Sequence, residues 1–539
     1  MNLAQKGRKW FAANWWWLIP ILLGIVIMLP RMASPQFGME DDGNSIIRAQ
    51  KMVAGTWTPA DDVGAGRFRP LYWLSFGLVY ALAGQNPFWF FLYNTLVLTC
   101  TVLLLMYLTR RHRASMVQTS LVGALFVLSG PIIESFYTLT KIEPLQVLLI
   151  LAAISLAFLA AESRGLAFRA LLALLTWTAA FLAFLSKETT LVMIPIALVW
   201  VAAAWFFKAP RPQQTALPLL LGAFIVAALA FWLARSHYVL PHAPGYAAQY
   251  QFSIYQILVS AYRWGGWLIR DFPYLLICAI MLGLEMKRGT VGQKGGLLFA
   301  SAVWMGGWAA IFLPWVYTVE YYILPFAAGC ALFCGLLIGD MVDGLRSGPG
   351  AQRGWSTVGL GIVSVLFLTT LGNNYSNARL QLAIDSQNEN LLDVLAASVP
   401  TGGRVLVNLD SSNSYVRNTA RHLQVVRGRS DLTVLPFAME ETLPGDYVLT
   451  FSIENQPMFF VRLGTSETSA RQKNSRLKKF IGPQVQPVHD TQVTYTQSNI
   501  NLVRLACLAV PLDFCDSGIP LVDTRPLSYG GSIYRVPEQ

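Results

Sequence analysis

WWWLIPILLGIVIMLPRMASPQFGMEDDGNS, residues 15–45, decides how the rest of the chain is read. Its first half is an apolar run close to the length of a membrane crossing, headed by a Trp cluster suited to a lipid–water interface. Its second half sets Glu40, Asp41 and Asp42 side by side just past the membrane edge. Adjacent carboxylates repel one another and attract water. The following EDDGNSIIRAQKMVAGTW (40–57) reads as an acidic turn entering an amphipathic helix, with Ile46, Ile47 and Met52 on one face. A helix dipole favours an acid at its N-terminus, which accounts for one of these acids and not for three.

Composition fixes the class. The chain has 539 residues, 54% hydrophobic and 13% charged, with a mean hydropathy of +0.47; a soluble domain carries about 25% charged residues. This is the composition of a polytopic membrane protein. The net charge of +11 reflects Lys and Arg in loops that stay on the cytoplasmic side. No dense basic cluster with interleaved aromatics points to nucleic acid. Lys6, Arg8 and Lys9 precede the first apolar run, which lacks a small-residue cleavage site and reads as a retained span.

Runs near 20 residues predict about eleven spans, near 14–31, 88–109, 116–134, 142–160, 169–186, 190–207, 217–236, 271–287, 297–315, 321–340 and 355–373. The shorter PLYWLSFGLVYALAG (70–84) suits an interfacial or re-entrant helix anchored by Tyr72 and Trp73. Placing the N-terminus in the cytoplasm and counting spans puts Arg110, Arg111 and Arg113, Arg164 and Arg169, Lys208 and Arg211, Lys287, Arg288 and Lys294, and Arg346 and Arg353 all inside. The opposite loops collect Glu40, Asp41, Asp42, Asp61, Asp62, Arg67, Arg69, Glu134, Lys141, Glu143, Lys187, Glu188, Arg270, Asp271 and Glu320. Singly these are snorkelling charges or local pairs; together they predict a site on the outer face.

Residues 1–373 are expected to form the membrane domain, with a first outer loop at 34–69, and 374–539 an extracytoplasmic domain. RVLVNL (404–409), DLTVLPF (431–437) and GDYVLTFS (445–452) are strand-like, and 378–399 has helical spacing, which predicts an α/β or α+β fold. The odd span number puts this domain outside, where Cys507 and Cys515 are expected to pair. Cys100, Cys278, Cys330 and Cys334 lie in apolar runs and read as packing residues.

GAGRFRPL (64–71) offers Arg67 and Arg69, a residue type that binds phosphate bidentately. FLSKETTLV (184–192), TKIEPLQ (140–146) and VEYYILPF (319–326) place Lys187, Glu188, Lys141, Glu143, Glu320 and Tyr321 at outer span ends. At these residues the chain resembles the GT-C glycosyltransferases, polytopic enzymes that use polyprenyl-phosphate sugars, over roughly residues 36–340. Within them it is most similar to the protein O-mannosyltransferase and tetratricopeptide-bearing mannosyltransferase-like branch. MEDDGNSI (39–46) is similar to that branch's acidic first-loop motif, RPLYWLSFGLVYALAGQNP (69–87) to its Arg-Pro-Leu segment, LSKETTLVMIPIALV (185–199) to its Ser-Lys-Glu hairpin, and VEYYILPF to its late Glu-Arg-Tyr segment. Gly130-Pro131 stands where His-Pro is common, Tyr321 where Arg is common, and no tetratricopeptide repeat follows.

The resemblance implies an inverting transfer on the outer face of a bacterial cytoplasmic membrane. Asp41 would be the general base, Asp42 would position it or bind the acceptor, and Glu40 is third choice. Lys187, Arg67 and Arg69 would meet the donor phosphate, while Glu188, Lys141, Glu143, Glu320 and Tyr321 would bind substrate. The implied partners are a polyprenyl-phosphate sugar and a lipid, glycan or protein acceptor, with no cofactor. His237 and His242 share an outer loop without companion ligands, and Glu40 with Asp42 could offer a divalent cation hard oxygen ligands; the resemblance implies a metal-independent lipid-monophosphate branch, so no metal is expected. The loop 237–270, rich in Tyr and Trp, has the reach to cover the site, its aromatic faces suiting sugar packing, while most of its aromatics read as interfacial anchors. Two rivals stand beside this reading. A transporter or lipid flippase predicts internal repeats and mid-membrane charges, which the sequence does not display. A lipid-diphosphate polymerase or ligase predicts Arg-rich outer loops and a catalytic His.

Overall fold

The structure, a computed structural model, describes residues 15–39, 42–59, 67–139, 141–238, 250–288, 294–316, 319–347, 350–409, 414–454, 467–482, 484–500 and 522–538. Its helices in chain order are α1 (Leu18–Ala33), α2 (Asp42–Val53), α3 (Pro70–Ala83), α4 (Pro87–Arg111), α5 (Met116–Val127), α6 (Gly130–Phe136), α7 (Glu143–Glu162), α8 (Leu166–Ser186), α9 (Met193–Phe206), α10 (Arg211–Tyr238), α11 (Ile254–Asp271), α12 (Tyr274–Arg288), α13 (Gly295–Phe312), α14 (Leu324–Ser347) and α15 (Gly350–Ser398). Among the described residues nine helical segments are long and apolar enough to cross a membrane, and eleven if the bent pairs α5–α6 and α11–α12 each count as one. Nine of the expected spans match these helices, the expected 116–134 and 271–287 spans match only bent pairs, and the chain is an integral membrane protein.

Local chemistry sets several boundaries. Asn86 caps α4 by accepting the Phe88 N–H at 3.1 Å, with Pro87 in the first turn, where its missing N–H costs nothing. Ser115 and Gln118 form a reciprocal capping box at the start of α5. In α3 the exposed Leu74, Leu78 and Leu82 fall four residues apart, while Tyr72, Trp73 and Phe76 are buried. That is the pattern of a helix lying at the membrane surface.

One expectation needs correction: most of the loop read at 237–270 is helical. α11 buries Trp264 and Trp267 and exposes Tyr255, Leu258, Tyr262 and Ile269, then turns by 88° into α12. Its apolar positions face outward in a stripe, so no uninterrupted hydrophobic run announced it.

The bundle has two distinct ends. Arg111–Glu162, Lys294–Glu285 and Lys294–Asp340 ion pairs tie helix termini at one end. Lys187–Glu143 and Arg270–Glu320 pairs do so at the other. The 49-residue α15 extends about 74 Å at 1.5 Å per residue, more than twice the roughly 30 Å of a hydrocarbon core. It leaves the bundle at the second end and becomes part of the C-terminal domain.

That domain adds α16 (Ser414–Arg421), α17 (Glu467–Ile481) and strands β1 (Arg404–Val407), β2 (Thr433–Pro436), β3 (Tyr447–Glu454), β4 (His489–Ile500) and β5 (Val522–Arg535). The strand order is β2-β1-β3-β5-β4; β1 is parallel to both β2 and β3, while β5 is antiparallel to β3 and β4. Alternation places Val405 and Val407 against Leu391 and Leu395 of α15, and Leu406 with Val448 against Leu477 and Ile481 of α17. The sheet is thus covered by a helix on each face.

Candidate active site

Glu143 and Pro144 open α7, and the Glu143 carboxylate accepts the Ile142 N–H at 2.9 Å. α8 ends at Ser186, after which Lys187 is extended (φ −158°, ψ 130°) and a 3-10 turn spans Glu188–Val192. Gln146 locks this turn to α7 by donating to Thr189 Oγ1 at 3.0 Å and Thr190 Oγ1 at 2.8 Å. The two helix ends therefore bring Lys187 Nζ onto Glu143 as an ion pair. The ammonium also lies 4.2 Å from the Tyr322 ring centroid. Burial pulls the Lys187 pKa below the ordinary lysine value, and the adjacent Glu143 carboxylate opposes that fall.

Lys187 lines a cavity of about 500 Å3. Arg67 and Arg69 enter it from the segment before α3, Arg235 from the end of α10, and Glu188 from the 3-10 turn. Trp232, Tyr250, Phe252, Phe312, Trp315, Tyr321 and Tyr322 supply aromatic walls. The 250–253 segment is held by the Gln251 N–H donating to Pro314 O at 2.8 Å and by Gln256 Nε2 donating to Trp315 O at 3.0 Å. Among the described lining residues four basic side chains, Arg67, Arg69, Lys187 and Arg235, meet two acidic ones, Glu143 and Glu188. Burial, reinforced by the Arg69 charge, lowers the Arg67 pKa. Glu188 lines the cavity, and its Oε2 is buried without a hydrogen-bond partner among the described residues. The site is thus suited to an anion beside a group with flat apolar faces and hydroxyl donors.

Of the residues expected to act together, Arg67, Arg69, Glu143, Lys187, Glu188 and Tyr321 share this cavity. Lys141 stands behind it, its Nζ 4.2 Å from the Tyr321 ring centroid. Glu320 is not among the lining residues; it pairs with Arg270 at 2.7 Å, and Arg270 holds Asp271 through two hydrogen bonds of 2.8 Å. A Cβ on Gly130 would stand 2.3 Å from the Asp271 carboxyl carbon. The Gly of Gly130-Pro131 is therefore what admits the carboxylate that orients Arg270, a packing reason for the residue in place of His.

Glu40, Asp41, Asp61, Asp62, His242, Cys507 and Cys515 lie outside the described residues. Asp42 is fully buried, and its Oδ2 accepts the Gly38 N–H at 2.7 Å. Burial and the neighbouring Asp385 raise its pKa well above the usual carboxylate range. Asp42 does not line the cavity. Among the described residues no group of three or more His, Cys, Asp or Glu is arranged for a metal ion.

Arg235, Trp232, Tyr250, Phe252, Phe312 and Trp315 were not expected at the site by number. Arg235 ends a span, where it has the appearance of a snorkelling flank. The Tyr and Trp content of 237–270 was the one available signal, and Tyr250 and Phe252 carry it into the cavity wall.

No family model matches the chain, and no curated protein matches it. Solved structures do. ArnT from Cupriavidus metallidurans bound to undecaprenyl phosphate is 13% identical, with a TM-score of 0.50, over 96% of this chain and 98% of that one. The Archaeoglobus fulgidus oligosaccharyltransferase, tethered with an acceptor peptide containing the NVT sequon via a disulfide bond, is 11% identical, with a TM-score of 0.51, over 86% of this chain and 72% of that one. At such identities the likeness is one of fold: this chain has the GT-C architecture, a polytopic helical membrane domain carrying a smaller α/β domain.

Proposed function

We propose that the chain is an integral-membrane inverting glycosyltransferase, moving a sugar from a polyprenyl-phosphate donor to an acceptor hydroxyl on the extracytoplasmic face. The observation that carries this reading is the convergence of Lys187, Arg67, Arg69 and Arg235 on one aromatic-walled cavity at the end of the bundle where the C-terminal domain sits. A lipid phosphate brings negative charge to these cations, and its sugar would lie against the aromatic walls. The undecaprenyl phosphate held by ArnT is a ligand of this class on the same fold.

In the proposed step an acidic residue of the first outer loop, Asp41, takes the acceptor hydroxyl proton as the oxygen bonds to the anomeric carbon. The bond from that carbon to the phosphate oxygen breaks, and the lipid phosphate leaves with the electron pair. Lys187 and the arginines stabilise the charge that grows on the leaving oxygen. A single displacement inverts the anomeric carbon. The sugar class and the mannosyltransferase-like branch rest on the sequence resemblance alone.

Four cations also suit a lipid diphosphate, the second reading. Mass spectrometry of lipid co-purified with the protein separates the two. A polyprenyl monophosphate or its sugar ester is expected; a polyprenyl diphosphate in its place contradicts the proposal.

A further inference from the structure

At the opposite end of the bundle lies a second cavity, of about 460 Å3. Glu143 and Phe158, which line the first and second cavities, sit on the same helix about 22 Å apart at 1.5 Å per residue. Its walls are apolar: Phe158 of α7, Trp200 and Phe207 of α9, Phe299 and Trp304 of α13. Among the described residues His112 is the one ionisable side chain lining it, and burial beside Arg111 lowers its pKa to about 4, keeping it neutral. The mouth is marked by Phe207 and Phe299, both exposed with ring centroids 6.4 Å apart, and by Gly296, around whose Cβ position nothing lies within 4 Å.

The rim is basic at a conformational cost. α9 ends with the Lys208 N–H donating to Trp205 O at 3.2 Å and the Ala209 N–H to Ala204 O at 2.8 Å, a turn that places Lys208 at φ +50°. Glycine is favoured there, and an L side chain is strained. Arg113, next to His112, has φ +61°. Among the described residues these two are the non-glycine positions with positive φ, and both are cations on this face. Arg211 begins α10 three residues after Lys208. Nearby Arg111 and Lys294 have carboxylate partners; Lys208, Arg211 and Arg113 have none among the described residues.

We infer that this crevice binds an anionic phospholipid of the leaflet opposite the candidate active site, an acyl chain lying between α9, α10 and α13 and the phosphate at Lys208 and Arg211. The apolar walls exclude a soluble anion, and the unpaired cations distinguish an anionic headgroup from a zwitterionic one.

Native mass spectrometry of the full chain in micelles, titrated with palmitoyl-oleoyl phosphatidylglycerol or phosphatidylcholine, tests this. Each basic residue near a lipid surface favours anionic lipid by roughly 1 kcal/mol, so phosphatidylglycerol should bind about tenfold tighter or more. The exposed-site double variant Lys208→Gln/Arg211→Gln should bring it to the phosphatidylcholine level. Gly296→Leu, whose side chain enters open space, should weaken both lipids. Equal affinities in the native chain, or a preference untouched by the double variant, overturns the assignment. Displacement of the phosphatidylglycerol by undecaprenyl phosphate, one for one, also overturns it and gives the crevice to the donor's tail.

Discussion

Arg31, in the last turn of the first membrane helix, and Asp385, where α15 has entered the C-terminal domain, form an ion pair at 2.8 Å with side-chain exposures of 0% and 3%. The guanidinium lies 4.3 Å from the Phe91 ring centroid. None of its three nitrogens has an aligned acceptor among the described residues, so charge rather than hydrogen-bond geometry holds the pair. The backbone of the first outer loop is seated against it: a Cβ on Gly38 would stand 3.3 Å from Asp42 Oδ2 and 3.4 Å from Asp385 Oδ1. His422 closes the other side, its Nε2–H donating to Gly38 O at 2.9 Å. The C-terminal domain thus grips the loop on which Glu40 and Asp41 are carried.

Asp385→Ala should leave Arg31 buried without a counter-charge, a loss of roughly 3–5 kcal/mol. Replacing both partners by apolar residues, Arg31→Met with Asp385→Leu, should cost much less. Thermal unfolding in detergent reads both; equal costs for the single and double variants would show that the pair is not what Asp385 provides.

His422 is buried, its pKa is lowered to about 4 by burial and by Arg427, and its Nδ1 has no hydrogen-bond partner among the described residues. Its unfolded value is about 6.5. Between these values the unfolded chain binds the extra proton, so His422's contribution to stability is complete above pH 6.5 and is lost as pH falls toward 4. Asp42, with its pKa raised, acts in the opposite sense. Comparing melting at pH 7 and 5 in the native chain and in His422→Gln isolates the histidine: the variant should lose less on acidification. An identical loss would remove His422 from this linkage.

Gly130→Ala should press its methyl on the Asp271 carboxylate and disturb the Arg270–Glu320 pair, costing about 1–3 kcal/mol as overpacking does. In an Asp271→Ser background the same change should cost less, a coupling a double-mutant cycle resolves. Additive costs would place the strain elsewhere.

Much of this was legible in the sequence for a physical reason. Apolar runs of membrane length are hard to mistake, and counting them sorted Lys187, Glu143, Arg67 and Tyr321 onto one face, where they share a cavity. α11 was hidden because Gln256, Ser260, Arg263 and the Gly265-Gly266 pair interrupt its run. The clamp of Asp385 and His422 on the first loop joins residues more than 340 positions apart, and no local pattern encodes such a contact.

Asp41→Asn should lower sugar transfer by about 10²–10⁴-fold, the usual contribution of a general base, with donor binding kept. Asp42 already sits where the neutral acid is favoured, so Asp42→Asn should fold normally and cost less activity. A transfer assay on variants of matched expression decides. Near-normal turnover in Asp41→Asn with collapse in Asp42→Asn would move the base to Asp42.

The account turns on Lys187 meeting a lipid phosphate. Binding of undecaprenyl phosphate to the native protein and to Lys187→Met, measured by native mass spectrometry on protein of equal monodispersity, tests this most directly. Saturable binding to the native chain, weakened about tenfold or more in the variant, is the result predicted. No binding to the native protein, or the same affinity in both, would contradict it and leave Lys187 as the ion-pair partner of Glu143 alone.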